Sequence, residues 1–130
     1  MRGIRAEQKG FTLLEILIVM AIIGVLSTIA IPRFNNSIVL ANTAKIQSDL
    51  RVLNSAIILY QSERGSYPTN LTTDLHEYIV DIDNLHPPKG ECLLRTGNKE
   101  NITVSAYTLS ADHTQALCQS HVIADFGRKD

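Results

Sequence analysis

Residues 11–31 read FTLLEILIVMAIIGVLSTIAI, and the polar side chains among them are Thr12, Glu15, Ser27 and Thr28. Twenty-one residues at about 1.5 Å rise make a helix of roughly 31 Å, close to the thickness of one hydrocarbon core. Before it, residues 1–10 carry Arg2, Arg5 and Lys9 against Glu7. Positive flanks stay in the cytoplasm, so the amino terminus is expected inside and the remainder outside. A cleaved secretory signal is the alternative, with Thr28-Ile29-Ala30 as a weak small-residue cleavage site. Two features oppose it. The apolar block exceeds the usual signal core of about 7 to 15 residues. It also holds Glu15, a carboxylate that costs roughly 2.5 kcal/mol or more at the centre of a membrane helix and less near its end.

Glu15 therefore calls for a partner. The bland role is a glutamate that snorkels to headgroup water, which suits a chain that keeps its leader. It suits a chain beginning at Phe11 poorly, because Glu15 then lies one turn beyond a new ammonium and the two charges attract strongly.

The whole chain has 130 residues, 12 basic and 13 acidic, for a net charge of -1. That length fits one domain at most. The near-neutral balance argues against a nucleic-acid binder, which shows a clustered basic surface, so direct nucleic-acid binding is not expected. Two Cys and four His without paired spacing leave no zinc framework. His76, His86, His113 and His121 are not spaced for a shared helical face, and no nucleophile elbow or phosphate-cradling loop is present. Asp81, Asp83 and Glu91 offer oxygens for calcium, but the EF-hand spacing is absent and Pro87-Pro88 intervenes, so no metal site is assigned. Neither an enzyme nor a cofactor is expected.

Here the residues reach a family. Gly10-Phe11-Thr12-Leu13-Leu14-Glu15, the apolar run through Ile22-Ile23-Gly24, and Ala30-Ile31-Pro32 together resemble the class III signal of type IV pilins and type II secretion pseudopilins. The resemblance is strongest over residues 10–34 and visible to about Pro68. It implies cleavage by a prepilin peptidase between Gly10 and Phe11, followed by N-methylation of Phe11. It implies that Glu15 pairs with the terminal amine of a neighbouring subunit during assembly. Pro32 matches the proline near which the family's helix bends or melts in filaments. Small residues Gly24, Ser27, Thr28 and Ala30 offer surfaces for close helix approach, although ordinary membrane-helix composition explains each of them equally.

Beyond Pro32 the helical pattern resumes. Phe34, Ile38 and Ala41, then Ile46, Leu50, Leu53, Ile57 and Tyr60, form an amphipathic stripe, with Asn42, Lys45, Asp49, Arg51 and Gln61 off it. Gly65 and Tyr67-Pro68 end the helix. The stripe covers about three heptads without regular flanking charge pairs, so packing on its own sheet is favoured over a coiled coil. Residues 44–68 also resemble the region after the membrane helix in major pseudopilins and short pilins. The remaining residues read as strands at 77–82, 102–109 and 116–124, with turns at Gly90, Gly97-Asn98 and 111–113.

The expected fold is α+β: a long amino-terminal membrane-spanning helix extending into a small head with three or four antiparallel strands. Its expected divisions are a cleaved leader at 1–10, a transmembrane and filament-core helix at 11–31, an amphipathic extension at 32–64 and a head at 65–130. Cys92 and Cys118 fall in the part expected outside the membrane, where disulfides persist. Joined, they close a loop of about 27 residues, worth roughly 3 to 4 kcal/mol on the chain-entropy model. Two buried free thiols are the alternative. The resemblance adds that many pilins close a carboxyl-terminal loop in this way.

The expected function is that of a type IV filament subunit, held by one span in the inner (cytoplasmic) membrane until it enters an extracytoplasmic filament. Its expected partners are copies of itself or sister subunits, the prepilin peptidase and methyltransferase, the inner-membrane assembly platform, and the bilayer before assembly. A surface pilus, a secretion pseudopilus and a competence pseudopilus all remain open, with Glu15 arguing against a tip subunit. The alternative from another class is a monomeric signal-anchored binding module outside the membrane.

Overall fold

The computed structural model describes residues 10–130. Residues 1–9, with most of the expected leader, lie outside the described residues. Helix α1 runs over Leu13–Arg64, 52 residues, with Pro32 inside it. Pro32 can donate no backbone hydrogen bond, yet the helical assignment continues on both sides of it. The chain divides into two compact units, the first ending at Asn35 and the second spanning Asn36–Asp130.

In the first unit α1 is apolar and bare. From Leu13 to Ile31 its large hydrophobic side chains are all 44 to 75 % exposed. The helix is long and apolar enough to cross a membrane, and none of its most apolar window is buried. Its two interior hydroxyls are satisfied within the helix: Ser27 donates to the Ile23 carbonyl at 2.7 Å, and Thr28 to that of Val25 at 2.6 Å. An apolar surrounding therefore meets no unpaired hydroxyl there.

In the second unit α1 carries the core. Ile46, Leu50, Leu53 and Ile57 are at most 2 % exposed and pack with Leu75, Cys92, Ile102, Ala116, Cys118 and Phe126. Helix α1 ends at Arg64, and Gly65 follows at φ 72°, a left-handed cap that glycine adopts freely. A short helix, α2 (Leu71–Asp74), is capped by the Asn70 side chain, which accepts from the Thr72 and Thr73 amides. A 3-10 turn covers Ile82–Asn84. Two antiparallel hairpins follow. Strands β1 (Gly90–Leu93) and β2 (Lys99–Ile102) pair with Cys92 opposite Glu100, and β3 (Thr108–Leu109) pairs with β4 (Ala116–Leu117). A second 3-10 turn spans Ile123–Asp125.

The α+β architecture is the expected one, and the described residues hold four strands, as two separate pairs instead of one sheet. Residues 77–82, expected as a strand, form turns: Ile82 is buried while Val80 is wholly exposed, because Tyr78 and Ile79 donate to the Leu75 carbonyl. The alternation there reflected one buried anchor, and not a pleat. Strand β1 was not anticipated, since its sequence GECL holds one buried apolar side chain, Cys92. The stripe on α1 also shifts. Phe34 and Ile38 are 70 and 55 % exposed, whereas Val39, Thr43 and Asp49 are buried.

Candidate functional site

Thr12 precedes α1 and caps it. Its Oγ1 accepts from the Glu15 amide at 3.2 Å, and its carbonyl accepts from the Ile16 amide at 3.3 Å. Threonine three residues before glutamate is the capping-box sequence, a signal present in TLLE that the sequence reading passed over. Glu15 thus occupies the third helical position, in the first turn, where the helix dipole favours a carboxylate. Its placement has a local cause in addition to any partner.

The two residues expected to flank the scissile bond are both open. Phe11 is 85 % exposed, and a Cβ at Gly10 would meet nothing within 4 Å. Among the described residues no contact calls for a glycine at 10. The same holds at Gly24, where a Cβ would also meet open space. A glycine inside a helix costs about 1 kcal/mol relative to alanine, and at Gly24 it leaves room for another helix to approach.

In the head, the polar side chains of α1 that face the strands are used as hydrogen-bonding partners. The Asn42 amide donates to the Glu91 carbonyl at 3.0 Å, and Thr43 Oγ1 accepts from the Leu93 amide at 2.8 Å. Gln47 Nε2 donates to the Phe126 carbonyl at 2.8 Å, and Asn54 Oδ1 accepts from the Ala116 amide at 2.8 Å. Short two-stranded pairs leave strand edges unpaired; Asn42, Thr43 and Asn54 bond backbone groups of β1 and β4, and Gln47 one of the segment after the last 3-10 turn. Deeper, the buried Tyr107 hydroxyl and the Lys45 ammonium both donate to Asp49 Oδ2 at 2.6 Å. The Nδ1 of His113 sits 2.8 Å from the Pro68 carbonyl.

Cys92 and Cys118 are both fully buried in the same core cluster and carry free thiols in the structure. Burial, then the neighbouring Cys92 and Glu100, pushes the Cys118 thiol up to about 12, and burial raises Cys92 as well. Neither is a ready thiolate. His121 Nε2 lies 2.6 Å from Glu100 Oε2, its ring edge-on to Phe126. Asp81 accepts from Asn84 at 2.7 Å. Among the described residues no three His, Cys, Asp or Glu side chains are grouped to hold a metal ion.

Residues 5–31 match the prokaryotic N-terminal methylation motif. The chain is 38 % identical over 65 residues to the type II secretion system core protein G of Klebsiella michiganensis, covering 50 % of this chain and 46 % of that one. It is 37 % identical over 81 residues to the protein of the same name from Escherichia coli K12, covering 62 and 54 %. To the type IV major fimbrial protein FimA of Dichelobacter nodosus it is 43 % identical over 53 residues, covering 41 and 34 %. The chain spans about half the length of the secretion relatives it matches. No solved structure gives a significant match. The methylation motif, the bare apolar helix behind it and the small antiparallel head together make the chain similar to type II secretion core proteins G and to type IV fimbrial proteins, a likeness that supports a pilin or pseudopilin kinship.

Proposed function

We propose that this chain is a precursor subunit that a prepilin peptidase cuts between Gly10 and Phe11, that is then N-methylated on Phe11, and that polymerises through α1. The observation that carries the reading is the helix surface from Leu13 to Ile31. It is apolar, uncovered among the described residues, and preceded by an exposed glycine at which a Cβ would meet nothing within 4 Å.

Lipid satisfies such a surface before assembly, and other copies of it do so afterwards. Apolar packing alone gives little preference for helix over lipid, so association needs close approach and a specific polar contact. Removal of the basic leader exposes an ammonium on Phe11. Glu15, held in the first turn by the Thr12 cap, supplies the carboxylate for that ammonium on a neighbouring subunit and sets the register. Pro32, lacking an amide donor, marks where α1 yields most readily when helices crowd together. The reading puts α1 across the inner membrane with the amino terminus in the cytoplasm and the head outside. Sister subunits, the processing enzyme and a membrane assembly platform are then its partners. The relatives include both secretion and fimbrial proteins, and a surface pilus and a secretion pseudopilus are the two uses in view.

The test is the intact mass and amino-terminal sequence of the protein made in a host with its own prepilin peptidase. A chain starting at N-methylated Phe11 supports the reading. A chain starting at Met1 overturns it in favour of a monomeric signal-anchored binding module, and one starting at Ile31 in favour of a secreted domain.

A further inference from the structure

Residues 36–130 carry 8 basic and 11 acidic side chains, and 4 of the 8 basic ones share one edge of the head. Arg95 and Lys99 flank the turn between β1 and β2. The carboxyl-terminal segment runs beside that turn: Leu94 bridges Phe126, the Gly127 amide donates to the Leu93 carbonyl at 3.0 Å, and the Arg95 amide to the Asp125 carbonyl at 2.8 Å. A Cβ on Gly97 would stand 3.7 Å from Lys129 Cδ. Arg95, Lys99, Arg128 and Lys129 are all exposed there, with two exposed carboxylates beside them, Asp130, 3.4 Å from Arg95, and Asp125, whose carbonyl takes the Arg95 amide, so the edge keeps a basic excess. Gln47, bonded to the Phe126 carbonyl, fixes this edge to α1.

A different patch lies at the far end of α1. The Tyr78 hydroxyl donates to Glu63 at 2.6 Å, Arg64 reaches Glu77 at 3.1 Å, and the Tyr60 and Tyr78 rings meet edge to face. These contacts hold residues 77–81 against the last turn of the helix. Exposed there are Glu63, Glu77 and Asp81 against the cation Arg64, which Glu77 pairs, and among them Val80, which is 103 % exposed. The sixteen residues from Gln47 to Glu63 correspond to about 24 Å along α1. One head therefore presents a basic edge and, well separated from it, an acidic end with a bare apolar side chain.

We infer that the basic edge of one head docks onto the acidic, Val80-bearing end of a second copy of this chain. The contact joins two different patches, so it is heterologous and repeats from copy to copy without closing on itself. Charge complementarity sets its register, and Val80 supplies the apolar contact within it. A nucleic acid is the less suitable occupant. The head as a whole is acidic, so a polyanion drawn to the edge meets repulsion from the rest of the surface. The inference rests on the filament reading and names a head contact that α1 does not provide.

The experiment uses the full chain in a host with its prepilin peptidase. It reads two quantities for each variant, the fraction in sheared filaments and the intact amino-terminal mass. Arg128→Glu with Lys129→Glu, and separately Glu77→Lys with Asp81→Lys, are each expected to lower the filament fraction by roughly tenfold. All four substitutions in one chain are expected to restore it, because both patches are then reversed together. Processing should be unchanged throughout. Either pair polymerising like wild type, or the four together failing to recover, overturns the docking. A wild-type chain with an uncut leader and no filaments overturns the filament reading and the docking with it. Normal filaments from the Arg128→Glu/Lys129→Glu variant, with loss of a DNA duplex that wild-type filaments retain, reassign the edge to nucleic acid.

Discussion

The Tyr107 hydroxyl donates to Asp49 Oδ2 across 2.6 Å, joining two residues 58 positions apart and tying the segment before β3 to the middle of α1. Lys45, one turn earlier on the helix, donates to the same oxygen and also to the His86 carbonyl. Burial, followed by the hydrogen bond to Asp49, holds the Tyr107 phenol well above its ordinary value, so it stays a donor at any working pH. A carboxylate 8 % exposed is thus paired on two sides.

Removing one partner leaves that carboxylate under-satisfied. Tyr107→Phe is expected to destabilise the head by about 1 to 3 kcal/mol. The readout is the alkylation rate of Cys92 and Cys118 in the reduced full-length protein in detergent, since both thiols become reachable when the head opens. An unaltered rate would mean that Lys45 suffices for Asp49.

This network shows where sequence reading stopped. Period alone put Asp49 off the apolar stripe, and by hydropathy that was reasonable. The carboxylate is inside because Lys45 and Tyr107 come to it, and Tyr107 is brought by long-range packing that no local pattern records. The same limit hid Asn42, Thr43, Gln47 and Asn54, whose partners are backbone groups 49 to 79 residues away. By contrast, Ile46, Leu50, Leu53 and Ile57 were legible because a helix buries residues at fixed spacing. The end of α1 was legible because Gly65 offers the left-handed cap. The apolar half of α1 was the most legible part, since an uninterrupted run of membrane length reads directly as one long apolar helix. The Thr12 cap is written in TLLE as well, where Glu15 is the third residue of a helix in addition to a charge.

Cys92 and Cys118 share the core of a head that the filament reading puts in an oxidising compartment. From that compartment the processed chain is expected to be two hydrogens lighter than after reduction. Replacing both by alanine should cost roughly 3 to 4 kcal/mol relative to the oxidised form. Intact mass before and after reduction decides the matter, and an unchanged mass means two buried thiols. Because both sulfurs are fully buried, reductant should act on the bond at the rate at which the head opens.

Acid sensitivity should map to the turn between β3 and β4. Asp112 accepts from the Ser110 hydroxyl at 2.6 Å and from the Thr114 hydroxyl at 2.8 Å and amide at 3.2 Å, which hold its carboxyl down at about 2. A folded value below the unfolded one stabilises the head above the unfolded value, about pH 4, and that contribution disappears as the pH falls toward about 2. Asp74, held low by the Asn70 and Thr69 amides, acts in the same direction. Thermal midpoints measured down this range should fall for wild type and fall less for Asp112→Asn, which keeps an acceptor oxygen but does not titrate. Parallel curves for the two proteins would exclude Asp112 as a contributor.

Glu15 has two separable roles, and one substitution distinguishes them. As the third residue of α1 it donates its backbone amide to the Thr12 cap, a bond that glutamine keeps as well as glutamate does. As the partner of a Phe11 ammonium, only the charged form will serve, because a neutral amide forfeits the charge-charge attraction that is strong in lipid. Glu15→Gln should therefore leave helicity, membrane insertion and cleavage after Gly10 as they are while abolishing filaments. Thr12→Val should do the reverse in kind, fraying the first turn at a cost of about 1 kcal/mol while filaments persist at reduced yield. Circular dichroism in detergent, the amino-terminal mass and the sheared filament fraction separate these outcomes. Filaments of normal yield from Glu15→Gln would confine Glu15 to the cap and remove the ammonium pairing from the assembly mechanism.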